Sequence, residues 1–106
     1  MEALACYNWG LRLNGQLVRG WNNKGNLLIR LGRAEDAIWC FEQALTINPG
    51  FAMAWNGKGA ALASLGKPHE ALPCFERALQ LGHIEAKQNI ALCRQQLSRK
   101  PRWWPS

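Results

Sequence analysis

No stretch of eighteen consecutive apolar residues occurs in the chain, so nothing in it reads as a membrane-spanning helix. Cysteine is scarce, four in 106 residues, too few for the disulfide lattice of a small secreted domain. The opening Met1-Glu2-Ala3-Leu4-Ala5-Cys6 lacks the basic-then-apolar order of a secretory signal, which points to an intracellular, cytoplasmic protein. Metal chemistry has little to stand on. The two histidines, His69 and His83, are fourteen residues apart with no Cys-x-x-Cys beside them. There is no glycine-rich phosphate loop, no Gly-x-Ser-x-Gly elbow and no spaced pair of acids, so no metal, no cofactor and no enzymatic activity is expected. Acids are few as well, seven against thirteen bases. What is plentiful is apolar residues, 48% of the chain, enough for one small globular domain with a modest core.

The excess positive charge is not spread evenly. Residues 1–17 and 52–85 are each balanced, and 18–51 carry a net +1. The rest of the +6 comes from Lys87, Arg94, Arg99, Lys100 and Arg102, which no acid opposes in their segment. A generally basic surface is therefore excluded.

Displacing the chain against itself by 34 residues aligns 18–51 with 52–85. In the first halves Trp21/Trp55, Asn22/Asn56, Lys24/Lys58, Gly25/Gly59, Leu28/Leu62, Leu31/Leu65 and Gly32/Gly66 coincide. In the second halves Ala37/Ala71, Cys40/Cys74, Phe41/Phe75, Glu42/Glu76, Ala44/Ala78 and Leu45/Leu79 do so, which makes 13 identities in 34. Average composition would give about two by chance, so the repeat is real. Each unit reads as two helices. Trp21, Gly25, Leu28 and Leu31 recur at steps of four and three, which puts them on one helical face. Gly32 and Gly66 stop the first helix of each unit. Ala37, Phe41, Ala44 and Leu45 share a face of the second helix, and Asn48-Pro49-Gly50 ends it. Gly25 and Ala37 allow two backbones to approach closely, with Trp21 and Phe41 filling the space beside them. Pro73 falls inside the second unit's outer helix, where a lost hydrogen bond or a kink is expected, at a cost of up to about 3 kcal/mol.

A 34-residue helix–turn–helix unit with Trp, Gly, a helix-breaking Gly, then Ala, Phe, Ala and Pro at these separations resembles the tetratricopeptide repeat family. Leu28 and Leu62 stand where the family has an aromatic, and His83 stands where it has the closing Pro. The resemblance implies an all-α fold, a right-handed solenoid of antiparallel helix pairs with about six helices, and a role in protein binding. A further displacement by 34 places Ala3, Cys6, Tyr7 and Leu11 under Ala37, Cys40, Phe41 and Leu45. Residues 1–17 are therefore read as a partial repeat, its outer helix (2–14) alone, followed by full units 18–51 and 52–85. A polar-faced capping helix over 86–98 and a basic tail over 99–106 complete the order. Half a unit leaves Leu4, Cys6 and Tyr7 without an inner helix to pack on. Two chains meeting there, cover by another protein, and excision from a longer array are the alternatives.

Cys6, Cys40 and Cys74 share one register and would lie on successive parallel helices whose axes are about 8–10 Å apart. A disulfide needs Cα atoms within about 7 Å, so these cysteines, like Cys93, are read as small packing residues.

In the family the first helix of each unit faces the concave side, which here implies 18–31, 52–65 and the cap. Those segments contain no acid. Setting aside the packed face leaves Arg19, Asn22, Asn23, Asn26 and Arg30, then Asn56, then Lys87 and Arg94. Amides can both donate to and accept from an extended peptide backbone, and the bases favour carboxylates. Gly57, Ala60 and Ala63 would leave room for a ligand side chain. The expectation is a groove for an acidic peptide or C-terminus. Some members of the family grip a chaperone's terminal carboxylate with two Lys, two Asn and an Arg. At the matching positions this chain has Asn22, Asn26, Gly57, Lys87 and Ala91, so only Asn26 and Lys87 agree, too few for that specificity. The tail Arg99-Lys100-Pro101-Arg102-Trp103-Trp104 reads as a disordered end, a segment docking on an exposed helix, or a nucleic-acid contact. The last is disfavoured because the inner helices offer no repeated base-reading set. Peptide capture leads. Self-association through the partial repeat and the Trp tail, giving a homo-oligomer, is the alternative.

Overall fold

The computed structural model describes residues 14–98. Within them five helices follow in order: α1 (Asn14–Arg30), α2 (Ala34–Ile47), α3 (Ala52–Ser64), α4 (Pro68–Gln80) and α5 (Ala86–Ser98). Each packs on the next, while α1 also touches α3 and α3 touches α5. So α1, α3 and α5 form an inner layer, and α2 and α4 an outer one. The all-α fold of antiparallel pairs is as the repeat implied. The sixth helix, expected over 2–14, and the tail 99–106 lie outside the described residues. One boundary moves: α1 begins at Asn14, within the segment read as the partial repeat.

The turns are built alike. Gly32, Gly66 and Gly82 have φ of +75°, +74° and +100°, a region that L side chains avoid. After α1, the Gly32 amide donates to the Ile29 carbonyl at 3.0 Å and the Arg33 amide to Leu28 at 2.8 Å. This pair of bonds satisfies carbonyls that a helix end leaves open, and it recurs around Gly66 and Gly82. The α2–α3 turn is different. There the Asn48 side chain accepts from the Gly50 amide at 3.0 Å.

Phe41 is fully buried at the centre. A Cβ on Gly25 of α1 would come within 2.7 Å of its ring, and one on Gly57 of α3 within 2.5 Å. One ring therefore wedges between two inner helices that glycine lets close in. Phe75 repeats half of this against Gly59, at 2.7 Å. Pro73 does not break its helix. α4 runs unbroken from Pro68, which opens it at a position that needs no amide, to Gln80. Pro73 itself is on the exposed side, so the one backbone bond it removes faces solvent.

Candidate functional site

Rotation of each inner helix decides what its surface offers. On α1 the buried stripe is Val18, Asn22, Gly25 and Leu28. Arg19, Asn23, Asn26 and Arg30 are exposed and recur at steps of four, three and four, so they form one continuous strip. The opposite flank is marked by Trp21, whose ring meets Trp39 of α2 edge-on at 5.2 Å, and by Lys24, 5.2 Å above the Trp21 ring. Asn26 is five residues from Trp21, about 140° round the helix. The strip therefore faces away from the outer layer, on the inner surface. On α3 the positions 34 residues later are Met53, Gly57, Ala60 and Ser64, with Met53 and Ser64 exposed and Gly57 buried. The surface continues through Asn56, whose Oδ1 accepts from Nδ2 of Asn89 on α5 at 3.0 Å.

Arg19, Asn23, Asn26, Arg30 and Asn56 are thus brought to one inner surface, but two expectations are corrected. Asn22 is only 2% exposed and offers nothing to a ligand from the open surface. Its Oδ1 has no partner among the described residues. The separation of 33 that joins Asn56 to Asn89 leads from Asn22 to Trp55, whose indole N–H is already committed to the Pro49 carbonyl at 2.8 Å. Gly57 leaves no room for a ligand side chain, because Phe41 fills the space above it.

Lys87 and Arg94 stand 68 residues after Arg19 and Asn26, at the same positions of the third inner helix. Burial of Ala86, Ile90 and Cys93, at the positions of Val18, Asn22 and Gly25, gives α5 the rotation of α1. Asn89 then reaches the inner helix α3, while Arg94, about 140° away, reaches Glu76 of the outer helix α4 at 3.3 Å. Lys87 shares the Arg94 stripe, and both line a depression with Glu76, Leu79 and Gln80 of α4. Lys58 pairs with Glu42 of α2 at 3.3 Å. Asn89 stands at the position of Trp21 and Trp55, which reads as packed face, so the sequence reading passed it over.

Cys40, Cys74 and Cys93 are free and buried, and burial pushes all three thiols above the usual range. They are poor nucleophiles and behave as packing residues. No helix among the described residues is long and apolar enough to cross a membrane.

Comparison with known proteins follows the same lines. The tetratricopeptide repeat family model matches residues 18–51 and 52–83. No curated protein matches the chain. Among solved structures, the first TPR domain of Spaghetti (RPAP3), bound to the HSP90 peptide SRMEEVD, is similar, with a TM-score of 0.79 and 26% identity. The match covers 90% of this chain and 77% of that one.

Proposed function

Since the chain belongs to the tetratricopeptide repeat family, we propose that it is a non-catalytic protein-interaction module whose inner surface binds an extended acidic peptide. The observation that carries this reading is the strip Arg19, Asn23, Asn26 and Arg30, a run of amides between two guanidinium groups with no acid anywhere on α1 or α3. Guanidinium groups suit carboxylates bidentately, and amides suit a peptide backbone whatever its sequence. The Asn56–Asn89 pair extends the amides across α3 and α5. That a similar domain binds SRMEEVD, a peptide with three acids, supports the same ligand class. The chain keeps too little of the carboxylate-gripping set for that chaperone's terminus to be its specific target. Of the two matching residues, Asn26 lies in the α1 strip and Lys87 on the exposed side of α5. Charge, more than a terminal carboxylate, is expected to select the ligand. A cytoplasmic setting fits three buried thiols left unpaired.

Calorimetric titration with SRMEEVD and with an otherwise identical SRMQQVN tests this. Tighter binding of the acidic peptide, weakened about a hundredfold by Arg19→Glu plus Arg30→Glu, is expected. Equal binding of both peptides, or no effect of the double reversal, contradicts it.

Self-association is the second reading. Leu27 of α1 and Leu31, which follows that helix, are 47% and 62% exposed, an apolar pair open to a second copy. Sedimentation of the full chain against Leu27→Ser plus Leu31→Ser decides: a dimer that the pair dissolves supports it, and a concentration-independent monomer removes it.

A further inference from the structure

A second recess opens on the other surface of the molecule, independent of the peptide-binding strip. It is a cleft of about 710 Å³ between α2 and α4, floored by α3. Ile38, Trp55, Leu62 and Pro73 make its apolar lining. Its shape has an internal explanation. Residue 73 occupies the repeat position of Trp39, and Trp55 that of Trp21. In the first unit the Trp39 indole lies edge-on to Trp21, with Lys24 over the Trp21 ring. In the second unit the receiving half is kept, with Lys58 5.9 Å over the Trp55 ring, but the incoming indole has been replaced by Pro73. The cleft is the space that an indole occupies one repeat earlier.

Two further features describe what would fill it. Proline has no amide, so Pro73 leaves the His69 carbonyl without its i+4 donor, and by helix geometry that oxygen points at the Pro73 ring. A carbonyl without its helical donor, next to the Pro73 ring, suits the N–H of an indole, which is apolar in body and a donor at its edge. The rim carries Lys67 and Arg77, neither in an ion pair among the described residues, whereas Lys58 is held by Glu42. Glu70 on the same rim offsets one of the two. The remaining charge favours an acid next to the aromatic group.

We infer that this outer cleft is a docking site for a partner-protein segment that presents a tryptophan side chain beside a carboxylate, the indole resting against Trp55 and Pro73 and the acid meeting Lys67 and Arg77. The chain's own Trp103-Trp104 segment is a poorer occupant, because Arg99, Lys100 and Arg102 around it repel the same rim.

The test is a ¹H–¹⁵N titration of the full chain with N-acetyl-Trp-Asp-amide. The Trp55 indole N–H and the backbone amides of Lys67 and Glu70 should shift, with a Kd on the order of 1 mM. Pro73→Trp, which restores the first unit's residue, should abolish those shifts. Lys67→Glu plus Arg77→Glu, a surface change, should weaken them at least about threefold, and N-acetyl-Trp-Lys-amide should bind correspondingly less. Undisturbed Trp55 signals at about 10 mM probe, or equal binding by Pro73→Trp, would overturn the site. Equal binding of the Asp and Lys peptides would overturn its acidic preference. Movement of the Trp55 signal on deletion of residues 99–106, with no probe present, would assign the cleft to the chain's own tail and overturn the partner reading.

Discussion

Units 18–51 and 52–85 share their phenylalanine wedge, their glycine turns and their Trp–Lys stacks, yet they show different surfaces to a ligand. Where the first presents Arg19, Asn26 and Arg30, the second presents Met53, Ala60 and Ser64. Where the first covers its outer flank with Trp39, the second leaves a cleft at Pro73. Their equivalent asparagines differ too: half-buried Asn56 is answered by Asn89, and buried Asn22 has no answer among the described residues. The lesson is that the 13 identities maintain a scaffold while the exposed positions are free to diverge. Inner-surface charge collects on the first unit, and open outer space on the second.

The largest effect should separate the two wedges. Phe41 serves Gly25 and Gly57, while Phe75 meets Gly59 alone. Phe41→Ala is expected to cost about 4–5 kcal/mol and Phe75→Ala about 3 kcal/mol, read from urea unfolding midpoints. Equal losses would mean that the double wedge adds nothing. Next comes the asymmetry of the inner surface. Arg30→Glu should weaken an acidic peptide by about tenfold, and Ser64→Glu, at the same position one repeat on, by about threefold. If Ser64→Glu costs as much, the ligand is gripped evenly and the polarity of the groove is lost.

The asparagines give a smaller effect of opposite sign. Asn22→Leu removes a buried acceptor without a partner and should stabilise by about 1 kcal/mol, whereas Asn56→Leu orphans Asn89 and should destabilise by about 1 kcal/mol. Thermal melts of the two variants moving in the same direction would break the contrast. Smallest is the Arg94–Glu76 pair, 67% and 41% exposed, where Glu76→Gln should change stability by at most about 0.5 kcal/mol. A larger loss would give α5 an electrostatic anchor that its exposure argues against.

Much of the fold was legible in the sequence because it is written twice. Gly32 and Gly66 mark turns whose φ only glycine adopts readily, and the Phe41 and Gly25 spacing marks a close approach. The candidate site was legible where a helix keeps the repeat's rotation. α1 does, so Arg19, Asn23, Asn26 and Arg30 were found together. α5 keeps it too, since Ala86, Ile90 and Cys93 follow Val18, Asn22 and Gly25 by 68 residues, which puts Lys87 and Arg94 at the positions of Arg19 and Asn26. Asn89 was passed over because it stands at the position of Trp21 and Trp55, which reads as packed face. Asn22 was misplaced for another reason. Asparagine on an amphipathic edge reads as surface, and its burial follows only from how closely α1 and α3 approach around Phe41.

Side-chain amide resonances test the central claim most directly, because the inner surface is lined with asparagines. Titration of the ¹⁵N-labelled chain with SRMEEVD should shift the side-chain NH₂ signals of Asn23, Asn26, Asn56 and Asn89 together, while the Trp55 indole N–H stays still. Shifts confined to the outer layer around Trp55, Lys67 and Arg77, with those four asparagines unmoved, would contradict the account.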